Sequence, residues 1–163
     1  MNALRHTLVC DGTSDANLIP IIDWTLREIG EVKVSQGVRA EFWRLREKPD
    51  GLVERLIRAV ELFPCEVLFI HRDAERETLS KRSEEIREAV DVAAQKGVSL
   101  PAVAVIPVRM LEAWLLFDES AIRHAAGNPN GEAPLDLPQQ SRVESCPDPK
   151  RCLSKSRTIG IFS

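Results

Sequence analysis

Residues 66–75 read EVLFIHRDAE. Pro64 stands just before this stretch, and charge arrives at Arg72 and Asp73. A strand with one wet face alternates apolar and polar residues. A continuous apolar run of this length is instead what a strand buried on both faces of a parallel sheet looks like. Residues 66–71 are therefore predicted to be an inner strand that ends in a charged loop. Upstream, Leu52, Val53, Leu56, Ile57 and Val60 recur at helical spacing, opened by Pro49 and Asp50 and closed by Pro64. Downstream, a charged helix is expected over 80–96, with Ser80 as its N-cap and Gly97 as its stop.

The same alternation continues in both directions. Toward the N-terminus, residues 4–10 form a strand candidate that runs into the turn Asp11-Gly12-Thr13-Ser14. A helix over 15–29 follows, with Leu18, Ile21, Ile22, Leu26 and Ile29 on its apolar face and Gly30 after it. Val38, Ala40 and Phe42 alternate with Arg39, Glu41 and Trp43, which predicts a half-exposed strand over 38–45. Toward the C-terminus, AVAVIPV predicts a strand over 102–108. A helix over 110–126 would turn Leu111, Trp114, Leu115 and Ile122 inward. Strand-then-helix units in series imply an α/β fold: a Rossmann-like, mostly parallel four-stranded sheet flanked by helices on both faces. Beyond Gly127 the chain becomes rich in Pro, Asn and Gln. The expected division is thus an α/β domain over 1–127 and a loop-rich, Pro-rich C-terminal tail over 128–163.

Composition narrows the function classes. The 163 residues hold 22 Lys and Arg against 25 Asp and Glu, a net charge of −3. This excludes a protein that coats nucleic acid by bulk positive charge and leaves room for a local basic face. With 44% hydrophobic and 29% charged residues, the balance is globular rather than disordered. No apolar run approaches the ~18 residues that a membrane span needs, and MNALRHTLVCDGTSD does not read as a signal peptide. A cytoplasmic protein with no membrane partner is expected. Cys10 and Cys65 sit in apolar runs as small hydrophobes. Cys146 and Cys152 lie in a polar stretch without a nearby His, which argues against a zinc site.

Ligands of open α/β sheets bind at the carboxyl ends of the strands, and acidic residues gather there in this sequence. Asp11 and Asp15 follow the first strand, Asp73 and Glu75 the third, and Glu112 the fourth. Converging carboxylates repel one another, and a hard divalent cation, Mg²⁺ or Mn²⁺, is the usual relief. Each acid also has a structural reading. Asp11 before Gly12 is a common turn, Asp15 is suited to N-cap the first helix, and Asp73 and Glu75 would be solvated in a loop. Glu112, in an apolar context, has Arg109 three residues earlier as a salt-bridge partner. His6 is expected at the edge of the sheet and His124 on a helix surface, while His71 is placed to orient a carboxylate or phosphate. Arg72, Arg76 and Arg109 flank the acids, and Lys150, Arg151, Lys155 and Arg157 make the tail locally basic. Two competing readings fail. A receiver domain would want a Lys near the end of a fifth strand, and no such strand is evident. Asp11-Gly12-Thr13 is similar to the DxDGT loop of haloacid-dehalogenase-type phosphatases, but the nucleophile position holds Val9. There is also no GxxxxGK[ST], GxGxxG or GxSxG.

A strand running into Asp11-Gly12-Thr13-Ser14-Asp15, followed two units later by an apolar strand into Asp73-Ala74-Glu75, resembles the Toprim domain of topoisomerases, primases, recombination proteins and related nucleases. VIPVRMLEAWLLFD and PDPKR further resemble an uncharacterised bacterial Toprim-related family. The resemblance spans about residues 4–152. It implies a Mg²⁺-dependent nuclease or phosphotransferase acting on the phosphodiesters of DNA or RNA, in phage defence or DNA repair. Asp11, Asp15, Asp73 and Glu75 would hold the metal, with Asp11, Asp73, Glu75 and Glu112 catalytic and Arg72, Arg109 and Lys150 on the substrate. Asp11 stands where the family has Glu, and Asp73 with Glu75 where it has two Asp. Those exchanges favour the alternative, a non-catalytic Toprim-like module working with a partner protein or as a homodimer. Longer members of the family continue past the position of Ser163, so a shortened or altered C-terminus is a further expectation.

Overall fold

Four strands form a single parallel sheet: β1 (Ala3–Val9), β2 (Val34–Arg39), β3 (Val67–His71) and β4 (Ala102–Val105), in the order β2-β1-β3-β4. The computed structural model describes residues 3–30, 32–74, 77–107, 113, 116–125, 128–149 and 151–152. By their contacts the residues fall into two units, one of 1–72 with 78–106 and one of 73–77 with 107–163.

The first unit holds the sheet and α1 (Leu18–Glu28), α2 (Gly51–Leu62) and α3 (Leu79–Gln95). The chain steps outward from β1 to β2, then returns across β1 to β3, so the loops after β1 and β3 diverge at the carboxyl edge. That switch point is the standard crevice of open α/β sheets. On one face Val9, Leu68 and Ile70 of the strands meet Leu56 and Ala59 of α2 and Ile86, Ala89 and Ala93 of α3. The alanines let the two helices pack closely on each other and on the sheet. They also explain why α3, whose apolar stripe is thin, is secured by tertiary contact rather than by its own amphipathicity. α1 packs along β2 and covers the opposite face.

Four expectations are corrected. β2 lies four residues earlier than its predicted start and ends at Arg39, because its half-buried positions are Ser35, Gly37 and Arg39 while Val34 and Val38 point to solvent. Hydrophobic alternation therefore had no handle on it. The alternation at Ala40 and Phe42 is real but belongs to the loop, where both residues pack on the core. The N-cap of α3 is Thr78 rather than Ser80: the Thr78 hydroxyl accepts from the Lys81 N–H at 3.3 Å. His6 is on an inner strand, fully buried, and not at the sheet edge. β4 stops before Pro107, which cannot donate to a ladder.

In the second unit, α4 (Glu119–Ala125) covers only the end of the helix expected over 110–126. Phe117 and Asp118 are non-helical, and the Asp118 carboxylate accepts from the Ala121 N–H at 3.0 Å, which starts α4 there. Ala113, Leu116, Val143 and Cys146 form a small apolar cluster, with a 3-10 turn at Gln140–Ser145. Buried Arg123 is held by Glu119 at 2.6 Å and by the Ala133 carbonyl at 2.5 Å. Cys146 and Cys152 are not joined, but their sulfurs lie 3.3 Å apart.

Candidate functional site

The first strand ends in a turn built by its own acid. Asp15 does not N-cap α1. Its Oδ2 instead accepts from the Gly12 N–H at 2.8 Å, closing the Asp11–Asp15 turn, and the same oxygen lies 3.2 Å from Nδ1 of His71 at the end of β3. His71 is 2% exposed. Burial, then the charge of Asp15, pushes the thiol of Cys10, beside this turn, up to about 11.

Asp11 points the other way, and its side chain is 53% exposed. It carries a guanidinium on each oxygen: Arg55 Nη1 at 2.5 Å on Oδ1 and Arg72 Nε at 2.9 Å on Oδ2. Arg55 comes from α2 and also donates to the Cys10 carbonyl. Arg72 follows β3 directly and reaches Glu85 of α3 at 2.9 Å, while Arg82 holds the other Glu85 oxygen at 2.8 Å. The result is a chain of alternating charge that joins β1, α2, β3 and α3 at the carboxyl edge.

Beside this chain opens a cleft of about 430 Å³. Asp11, Arg55, Arg72, Lys48, Phe42 and Trp43 are among its lining residues. The lining residues include three cations, Lys48, Arg55 and Arg72, and one carboxylate, Asp11, in a chain that is acidic as a whole.

Comparison with protein-family models, with curated proteins and with solved structures finds no match to this chain.

Of the residues singled out from sequence, the structure brings Asp11 and Arg72 into one ion pair and sets Asp15 against His71. Asp73 lies two residues beyond β3, half-buried, in the second unit. Glu75, Arg109, Glu112 and Lys150 lie outside the described residues, as does Arg76. Among the described residues no group of three or more His, Cys, Asp or Glu side chains is arranged to hold a metal ion. Asp11 has a guanidinium on each oxygen and Asp15 accepts from the Gly12 N–H, so these two alone do not make a cation site. Sequence reasoning missed Lys48, Arg55 and Trp43. Arg55 lies between apolar positions of an amphipathic helix and Lys48 in a loop, and nothing local marks either as facing the β1 turn.

Proposed function

We propose that the chain is a Toprim-like module that engages the phosphodiester backbone of nucleic acid at the crevice between β1 and β3. The observation that carries this reading is the pair Arg55 and Arg72 held by one carboxylate, Asp11, beside Lys48. Guanidinium forks suit phosphate oxygens, and a carboxylate between two of them fixes their orientation before a ligand arrives. The crevice is at the sheet edge where α/β proteins bind phosphates. Four parallel strands with acids after β1 and β3 fit the Toprim-like class. Anisotropy titration with labelled oligonucleotides tests the reading. Binding should weaken with added salt, and Arg72→Gln or Arg55→Gln should each cost about tenfold in Kd. Absence of binding by the wild-type chain at low salt would overturn it.

A second reading adds Mg²⁺-dependent cleavage of DNA or RNA, as the Toprim resemblance implies. It is favoured by Asp11 and Asp73 each following a parallel strand at its carboxyl end. The described residues by themselves do not complete a metal site. Purified chain with Mn²⁺ should nick oligonucleotides, and Asp11→Ala and Asp73→Ala should abolish the cleavage without lowering backbone binding to zero. Nucleic-acid binding without cleavage, and with no metal-induced rise in Tm, would leave the non-catalytic module.

A further inference from the structure

The cleft has a second wall that phosphate recognition does not use. Trp43 lines it and is 60% exposed. An exposed indole in a loop would ordinarily sample several rotamers, but this one is tethered. Its Nε1–H donates to Glu41 Oε2 at 2.9 Å, and the other Glu41 oxygen accepts from Arg39 Nη2 at 2.5 Å. Trp43 and then Arg39 hold the Glu41 carboxyl below the usual carboxylate range. The Arg44 guanidinium lies over one face of the ring, 4.5 Å from its centroid, which leaves the opposite face for a stacking partner. The loop beneath is pinned as well: the Ala40 N–H donates to the Leu8 carbonyl at 2.9 Å, and Phe42 packs edge-on against Phe63 at 6.5 Å. Ala40 and Phe42 turn inward, so Glu41 and Trp43 turn out.

We infer that this cleft takes single-stranded nucleic acid, with an unpaired base stacked on Trp43 and the adjoining phosphate on Arg55, Arg72 and Lys48. The inference rests on the phosphate reading above and names its substrate. An aromatic face beside a cationic groove is the combination that binds unpaired bases, whose π-faces are open; in a duplex those faces are covered by neighbouring base pairs. The volume, about 430 Å³, lies within the range of small-ligand pockets, roughly 300–1,000 Å³, so a nucleotide-sized unit is accommodated. Because the ring is already held by Glu41 and Arg44, little side-chain entropy is lost on stacking.

The test compares the full chain with Trp43→Ala and Trp43→Phe, using labelled oligothymidine, a duplex of equal length, and pyrophosphate as probes. Trp43→Ala should weaken oligothymidine binding by about tenfold or more. Trp43→Phe should retain most of it, and neither change should alter the affinity for pyrophosphate or the salt slope. In the wild type, the indole N–H resonance of Trp43 should shift on adding oligothymidine and stay in place with pyrophosphate. That readout needs no variant and so survives any folding defect. An unmoved resonance under saturating oligothymidine overturns the inference, as does equal weakening toward single strand and duplex in Trp43→Ala. If Arg72→Gln loses oligothymidine while Trp43→Ala keeps it, the base site is refuted and the phosphate site stands. If the wild type binds none of the probes, both fall.

Discussion

The two faces of the sheet are sealed by different chemistry. Under α2 and α3 the contact is mainly aliphatic: Val9, Leu68 and Ile70 meet Leu56, Ala59, Ile86, Ala89 and Ala93, with Cys65, Phe42 and Phe63 beside them. On the other face the strands present His6, Leu8, Phe69 and His71, and both histidines are buried. His6 lies edge-on to Phe69 at 5.2 Å, and its Nε2–H donates to Asp23 of α1 at 2.8 Å. Asp23 Oδ1 also accepts from the Ser35 hydroxyl of β2 at 2.5 Å. One carboxylate thus ties α1 to both β1 and β2, and a second, Asp15, faces His71. The aliphatic face gains stability in proportion to the apolar area it buries. The histidine face fixes a particular arrangement, because each buried polar atom costs free energy unless its partner is in place. The β1 turn that carries Asp11 leaves the sheet beside that face, so the crevice is positioned by polar pairing and held by the aliphatic core.

The largest effect should come from the aliphatic face. Leu68→Ala removes a fully buried side chain between the sheet and its helices and is expected to cost about 3 kcal/mol. In urea titrations that loss should be equal at pH 7 and pH 5. A marked pH dependence would break the contrast between the faces.

A smaller but more specific loss is expected at Gly37, the register partner of His6 on the edge strand. A Cβ there would come within 2.3 Å of the His6 ring and 2.6 Å of the Ile19 side chain. Gly37→Ala should cost about 2 kcal/mol through forced displacement of the ring. In a double-mutant cycle His6→Ala should recover part of it, and strict additivity would show that the two do not press on each other.

The smallest effect is one whose origin shows in acid. Burial pushes the Asp23 carboxyl up, but the hydrogen bonds from Ser35 and His6 outweigh it and hold it below its ordinary value of 3.8. A carboxyl depressed in the folded state contributes stability that is complete above its unfolded value. That contribution is lost as pH falls through the folded one. Ser35→Ala should therefore cost about 1 kcal/mol at neutral pH. It should also flatten the fall of Tm below pH 4 relative to the wild type. An acid limb of unchanged steepness would remove Asp23 from the account.

Sequence determined the inner architecture because burial on both faces leaves an unmistakable mark. EVLFIH could only be an inner strand, and the spacing of Leu52, Leu56 and Val60 only a helix. Gly97, at φ +97, could end α3 where a residue with a Cβ would be strained. The placement of acids at carboxyl ends followed from strand direction alone, which is why Asp11 and Asp15 were legible as neighbours of a crevice. Tertiary structure decided the rest. Ser35, Gly37 and Arg39 form the inward face of β2 without being apolar, since what they meet is Asp23, His6 and the β1 turn rather than a hydrocarbon layer. The partners of each charge were equally hidden. Asp11 meets Arg55 across 44 positions of sequence, and Trp43 comes to one cleft with Lys48 and Arg72 through the return of the chain across β1. Local patterns record which side of an element is buried. They do not record which distant charge waits there, because ion pairs and exposed aromatic rings follow from the crossing of loops and have no period of their own.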